Sequence, residues 1–332
     1  MDCPARNRSA ELPAAWYNMS HSNFVVKGET NMFGYTPDPI AFTVFGIGIR
    51  WYAILICAGM ILGTVIAMRR ASSRGISQDD LLDTVLVALP AGIIGARIWY
   101  VIFEWENYHS FFDVINIRAG GLAVQGGLIF GVTAAWLVCR HKKISFLDVL
   151  DTAVPSIALG QAIGRWGNFF NQEAHGTATD LPWAIVIDGI KVHPTFLYES
   201  LWCLMLFFVL SVIYRKKTFR GQTMCLYFIL YSLERFFVEQ LRTDSLLTGP
   251  AGLVMPLKAA GYDPAAVDGV LHLGNLLVYP FRTAQFISLA AFIVFNVLYH
   301  VFRKKAAGSP EADDIPAGED NTVSSGQAEM SE

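Results

Sequence analysis

Charge is what this sequence has least of. Of its 332 residues only 16% are Asp, Glu, Lys or Arg, against roughly 25% in soluble domains. An ordinary soluble domain is therefore a poor reading. Its five cysteines (Cys3, Cys57, Cys139, Cys203 and Cys225) are scattered, with no CxxC and no paired spacing. They read as small buried hydrophobes, not as a disulfide framework or a metal site. No phosphate loop, zinc-ligand spacing, GxSxG elbow or dinucleotide fingerprint appears. No cofactor, no metal and no serine-hydrolase chemistry are expected. No basic stripe suggests nucleic acid, and the net charge of −3 points to no partner. No apolar stretch follows Arg6 and Arg8, so residues 1–38 do not read as a signal peptide. They read as a loose N-terminal extension, with Met32 an alternative start. Residues 306–332 hold seven acidic residues and no Lys or Arg. Such a segment cannot bury a core and is expected to be a disordered tail.

What the chain has is long uncharged runs. Ala119–Cys139 is 21 residues without a charge, Thr283–Phe302 is 20, and Trp51–Met68 is 18. About 20 such residues cross a bilayer as a helix. Between the runs lie four basic clusters: Arg69, Arg70 and Arg74; Arg140, Lys142 and Lys143; Arg215, Lys216, Lys217 and Arg220; Arg303, Lys304 and Lys305. Basic loops stay cytoplasmic. The alternation predicts an all-α polytopic membrane protein with seven spans, near 42–68, 81–103, 120–139, 146–170, 195–214, 221–241 and 282–302. The N-terminus then lies outside and the C-terminus in the cytoplasm. Residues 39–305 form the transmembrane domain.

Four arginines fall inside these segments: Arg50, Arg97, Arg165 and Arg235. Arginine in hydrocarbon is costly and marks a functional site. Uncharged stretches of thirteen residues (84–96, 152–164 and 221–233) lead outward to Arg97, Arg165 and the Glu234-Arg235 pair. At about 1.5 Å per residue each arginine reaches the outer third of the bilayer. Arg50 sits at the outer end of the first span, so all four are expected in one layer, suited to holding an anion.

Polar groups accompany them. Arg165, Asn168 and Gln172 share a helix face within a run that continues through Glu173, His175 and Gly176. Arg235, Glu239 and Arg242 share another face. His193 and Glu199 flank the start of the fifth span, where Pro194 suits a first helical turn. Gly120, Gly121, Gly126 and Gly127 bracket Gln125 and permit close packing of helix on helix or backbone on ligand. Tyr52 follows Arg50 and Trp51. Two function classes fit: chemistry on an anion at one face of the membrane, or a lipid-binding or transport protein without chemistry. No internal repeat of the transporter kind is visible.

From Arg50 to Phe302 the chain resembles the prolipoprotein diacylglyceryl transferase family. The resemblance is carried by Gly164–Gly176, the His-Pro-Thr…Tyr-Glu segment at His193–Glu199, Gly120–Gly127, and Arg235…Glu239…Arg242. It implies an enzyme of the bacterial inner membrane with phosphatidylglycerol as donor. The acceptor would be a prolipoprotein signal peptide with a lipobox cysteine, and the products a thioether-linked diacylglyceryl group and glycerol phosphate. Carried over by position, Tyr52, Arg165, Asn168, Glu173, Gly176, Arg235 and Glu239 match the residues that family depends on. One departure is visible: many members have His where this chain has Gln125. For such a reaction, charge on the departing phosphate calls for preorganised arginine donors, a role expected first of Arg235 and then of Arg165, with Arg97, Arg242, Gln125, Gly176 and His193 also expected to line substrate. Asn168 and Tyr52 would hydrogen-bond glycerol or phosphate oxygens. With Gln125 in place of His, Glu173 and Glu239 are the candidates to accept the thiol proton, and His193 stands third.

Overall fold

A computed structural model describes residues 37–108, 110–117, 120–243, 271–273, 276–278 and 282–308. Eight helices run through them: α1 (Trp51–Ser72), α2 (Gln78–Phe103), the single turn α3 (Phe111–Ile115), α4 (Val124–Lys142), α5 (Phe146–Asn171), α6 (Thr195–Arg215), α7 (Gln222–Leu241) and α8 (Thr283–Ala307). Five of them, α1, α2, α5, α6 and α8, are long and apolar enough to cross a membrane. The chain is a mostly helical, polytopic membrane protein. The two remaining long helices are more polar: α4 opens on Gln125 and two glycines and ends Arg-His-Lys, and α7 carries Glu234, Arg235 and Glu239. Most of the expected loose extension and acidic tail, 1–36 and 309–332, lies outside the described residues.

Local chemistry sets the helix ends. Ser77 caps α2, its hydroxyl accepting from the Asp79 N–H at 3.2 Å, with Asp79 and Asp80 in the first turn where the helix dipole favours negative charge. Lys143 ends α4 in the left-handed region (φ 57°).

Three short antiparallel pairs accompany the helices: β1 (Ile40–Val44) with β2 (Ile47–Arg50), β3 (Ile185–Ile187) with β4 (Ile190–Val192), and β5 (Leu271–Leu273) with β6 (Leu276–Val278). The first pair corrects the sequence reading. Residues 42–50, expected as the start of the first span, form a hairpin, and the helix begins only at Trp51. The chain reverses at Phe45 and Gly46, both at positive φ, a two-residue turn that matches strand twist. Arg50 is consequently the exposed last residue of β2, not a helix residue.

The chain divides into two compact units. Among the described residues, the first holds 37–56, 162–202, 233–243, 271–273, 276–278 and 282–289, and the second 57–108, 110–117, 120–161, 203–232 and 290–308. In the second unit glycines let helices meet backbone to backbone. An added Cβ at Gly59 would stand 3.1 Å from the Gly160 carbonyl, and one at Gly63 3.0 Å from the Ser156 carbonyl, so α1 lies directly on α5. The contact of α2 with α4 is tighter still. A Cβ on Gly126 would sit 2.3 Å from the Gly95 carbonyl and from the Trp99 Cβ. Small residues in this pattern are how apolar helices associate without a hydrophobic driving force.

The second unit also buries charge. Lys217 Nζ lies 2.8 Å from Asp148 and 3.0 Å from Asp151. Asp151, fully buried, also accepts the backbone N–H groups of Gly221 (2.8 Å) and Met224 (2.9 Å), which start α7. Every donor and acceptor named here is matched, as buried charge requires.

Candidate active site: three arginines on one buried glutamate

The first unit gathers most of the chemistry seen in the sequence. Its scaffold is an aromatic and aliphatic core of Phe169, Ile185, Ile187, Val192 and Phe196, with Trp166 and Phe170 packed on it. That core seats the β3–β4 hairpin on α5 and α6. Asp188 and Gly189, both at positive φ, turn the hairpin. Trp166 Nε1 donates to the Ser200 hydroxyl at 3.2 Å, and Ser200 donates to the Ala162 carbonyl at 2.7 Å. These bonds lock the C-terminal part of α5 to the first turns of α6.

This locking brings Arg165, on α5, against Glu199, on α6. Glu199 is 1% exposed. Arg165 Nη2 pairs with its Oε2, while Arg235 Nη1 and Arg242 Nη1, both from the α7 end, lie 3.3 and 3.5 Å from its Oε1. Arg235 Nη2 also pairs with Glu239 Oε2 at 2.6 Å, one turn along α7. Arg282, just before α8, donates to the carbonyls of Glu239 and Arg242 and so holds the C-terminal turn of α7, where cations are favoured. Each guanidinium carries five N–H groups in a rigid fork. The arrangement is a preorganised donor array with a fixed carboxylate at its centre, partly open at the arginines and closed at the glutamate. Such an array can take a phosphate bidentately.

Around it stand the other residues singled out in the sequence. α5 ends at Asn171, and Gln172 and Ala174 take left-handed backbone. There Glu173 is exposed and accepts from Asn168 Nδ2 at 3.0 Å and Asn171 Nδ2 at 3.1 Å. Gly176 has a packing reason: a Cβ would stand 2.6 Å from the His193 Cβ and 3.0 Å from the Leu241 carbonyl. Its N–H donates to the His193 carbonyl, and Thr177 N–H donates to the Leu241 carbonyl, which ties this strand to the base of Arg242. His193 Nδ1 lies 3.2 Å from the Tyr198 hydroxyl, and burial pushes its imidazole below the ordinary value. His193 is therefore neutral at neutral pH. Tyr52 lies against Gly167, where a Cβ would come 2.5 Å from its ring.

Two expected site residues belong to the second unit. Gln125 is exposed on the first turn of α4. Arg97 is 8% exposed, and its guanidinium donates to five backbone carbonyls. Nε reaches Val114 (2.7 Å), Nη1 reaches Gly120 and Gly121 (2.8 and 2.9 Å), and Nη2 reaches Asp113 and Asn116 (2.6 and 3.1 Å). Five donors meet five acceptors, so in this arrangement Arg97 organises the connection between α2 and α4. Arg97→Lys keeps the charge but has only three donors on one nitrogen. It is expected to destabilise the protein by about 2 kcal/mol and to expose residues 110–121 to limited proteolysis, which a timed digest of wild type and variant would read.

Sequence reasoning named Glu199 and Glu234 but gave neither a role, and it did not place Arg282 among the site residues. The Arg and Glu spacing on α7 was visible. The convergence of α5, α6 and α7 on one carboxylate was not.

Comparison with known proteins gives the family. The family model described as prolipoprotein diacylglyceryl transferase matches residues 39–301. The chain is 50% identical over 225 residues to the phosphatidylglycerol–prolipoprotein diacylglyceryl transferase of Clostridioides difficile, covering 68% of this chain and 91% of that one. It is 54% identical over 214 residues to that of Finegoldia magna, covering 64% and 86%. With that of Clostridium kluyveri the identity is 48% over 223 residues, covering 64% and 88%. The chain is a membrane-embedded transferase and belongs to the prolipoprotein diacylglyceryl transferase family.

Proposed function

We propose that this chain transfers the diacylglyceryl group of phosphatidylglycerol to the thiol of a lipobox cysteine in a prolipoprotein signal peptide. The thioether forms as glycerol phosphate leaves, the first step of bacterial lipoprotein maturation. The reading places the enzyme in the bacterial inner membrane with seven spans, the N-terminus outside and the C-terminus in the cytoplasm. Seven long helices and basic clusters at alternate connections support that topology. At about 1.5 Å per residue, α4 and α7 are also long enough to cross.

The observation that carries the reading is the convergence of Arg165, Arg235 and Arg242 on Glu199. The reaction breaks a carbon–oxygen bond and concentrates charge on the departing phosphate. Fixed guanidinium donors stabilise that charge without reorganising, and in a site with little water they act at full strength. Arg235, braced by Glu199 on one Nη and Glu239 on the other, is the first phosphate ligand, and Arg165 the second. Asn168, held by Glu173, and Tyr52 are positioning groups for the glycerol. The peptide supplies its own sulfur nucleophile, which reacts as the thiolate, so no enzyme cysteine takes part.

Arg235→Lys tests the reading. It preserves charge but loses the fork that Glu199 and Glu239 hold. Turnover of a lipobox peptide in phosphatidylglycerol vesicles is expected to fall about 10²-fold, while Glu173→Gln, at an exposed site beside two amides, serves as a comparison of smaller effect. Unchanged turnover in Arg235→Lys would remove Arg235 from the phosphate role.

A further inference from the structure

We infer that Glu234 is the group that takes the proton from the acceptor thiol. The inference rests on the transferase reading given above and supplies the step that reading lacks. Glu234 precedes Arg235 on α7 and is 6% exposed. Both of its carboxyl oxygens are buried, and neither meets a hydrogen-bond donor among the described residues. The charged groups that act on it are Glu199, Arg165 and Arg235, so it stands within the same cluster. Leaving a buried carboxylate without donors is costly, and a fold retains such a group where its lone pairs have work to do.

The other acids are already engaged. Glu199 receives three guanidiniums and Glu239 is paired with Arg235. Glu173 takes two amide donors. Asp151, the fully buried acid of the second unit, accepts Lys217 and two backbone N–H groups. Each of these acids therefore already has a donor on at least one oxygen. His193 has its Nδ1 3.2 Å from the Tyr198 hydroxyl. Gln125 carries an amide, which is not a base. Among the described acids of the cluster, Glu234 alone has both oxygens without a donor.

The step balances without any co-reactant. Glu234 takes the thiol proton as the S–H bond breaks. The sulfur then forms a bond to the glyceryl carbon that carries the phosphate ester, and the C–O bonding pair leaves with the phosphate on Arg235 and Arg165. The carboxyl of Glu234 returns its proton to that phosphate oxygen, so glycerol phosphate departs and Glu234 is again ionised. A single carboxylate serves as base and then as acid.

The test uses full-length protein in phosphatidylglycerol vesicles with two lipobox peptides, one with cysteine and one with selenocysteine in its place. A selenol is ionised at neutral pH and needs no base. Glu234→Gln is expected to lower thioether formation from the cysteine peptide about 10²-fold, yet to leave selenoether formation within a few-fold of wild type. Glu234→Asp is expected to retain part of the cysteine activity. Equal losses with both peptides would make Glu234 a structural residue, and undiminished cysteine activity in Glu234→Gln would likewise overturn the inference. Wild-type protein that modifies neither peptide would instead overturn the transferase reading, and this inference with it.

Discussion

Replacing Glu199 by Gln is expected to lower turnover about 10³-fold, more than the loss of any one of its arginine partners. The reason is geometric. Arg165 comes from α5, while Arg235 and Arg242 come from the end of α7, and all three contact the one carboxylate on α6. An amide of the same shape keeps one acceptor oxygen but no charge, and its NH2 group meets guanidinium donors head-on. Removing one member of a buried ion cluster leaves the others uncompensated and costs about 3 kcal/mol. The arginines are only 12–21% exposed at their side chains, so water offsets little of that. Two measurements separate the effects: the melting temperature in detergent, and turnover at a temperature where both proteins are folded. A variant that melts like wild type and still turns over normally would show that Glu199 gathers nothing of consequence.

The second large effect falls far from the chemistry. Gly126→Ala places a methyl carbon 2.3 Å from the Gly95 carbonyl and from the Trp99 Cβ. The first neighbour is backbone and the second is anchored to it, so neither yields unless α2 and α4 separate. Overpacking of a close interface costs about 3 kcal/mol, and more when backbone must move. Little folded protein is expected in the membrane fraction. Gly131→Ala, on the same helix, is the control. Its new carbon would sit 3.3 Å from the Ala88 carbonyl, a distance that a few tenths of an ångström relieve, and expression is expected near wild type. Equal expression of both variants would contradict the backbone contact that the structure assigns to Gly126.

Much of this was legible beforehand. The uncharged runs and the alternating basic clusters together anticipated the long helices, most of them to within a few residues, because hydrocarbon excludes charge from whatever crosses it. The exception, residues 42–50, is instructive. Ile40, Phe42, Val44 and Ile47 are as apolar as a span, and the turn at Phe45-Gly46 lacks the Asn-Gly or Asp-Gly pair that would have signalled a hairpin. The β3–β4 hairpin did carry such a signal, Asp188-Gly189 between two apolar runs, but it lay in what read as a loop.

The site was half legible. Arg165, Arg235, Glu239 and Arg242 are visible because charge in an apolar helix has few explanations other than function. Arg97 looked equivalent on the same ground, yet its acceptors are five backbone carbonyls, and a carbonyl leaves no mark in the sequence. Glu199 has the reverse problem. Its partners lie 34, 36 and 43 residues away in the chain, and only the packing of Trp166 and Ser200 brings the first of them into reach.

The central claim is that the arginine cluster on Glu199 performs chemistry on phosphatidylglycerol instead of merely holding it. The most direct measurement incubates the purified protein in phosphatidylglycerol vesicles with a lipobox peptide and follows the peptide's mass and the aqueous phase together. The account predicts a gain of one diacylglyceryl unit on the peptide, release of glycerol phosphate, and neither product from a peptide with Ser in place of Cys. Phosphatidylglycerol bound by the protein, with no mass gain and no glycerol phosphate, would contradict it.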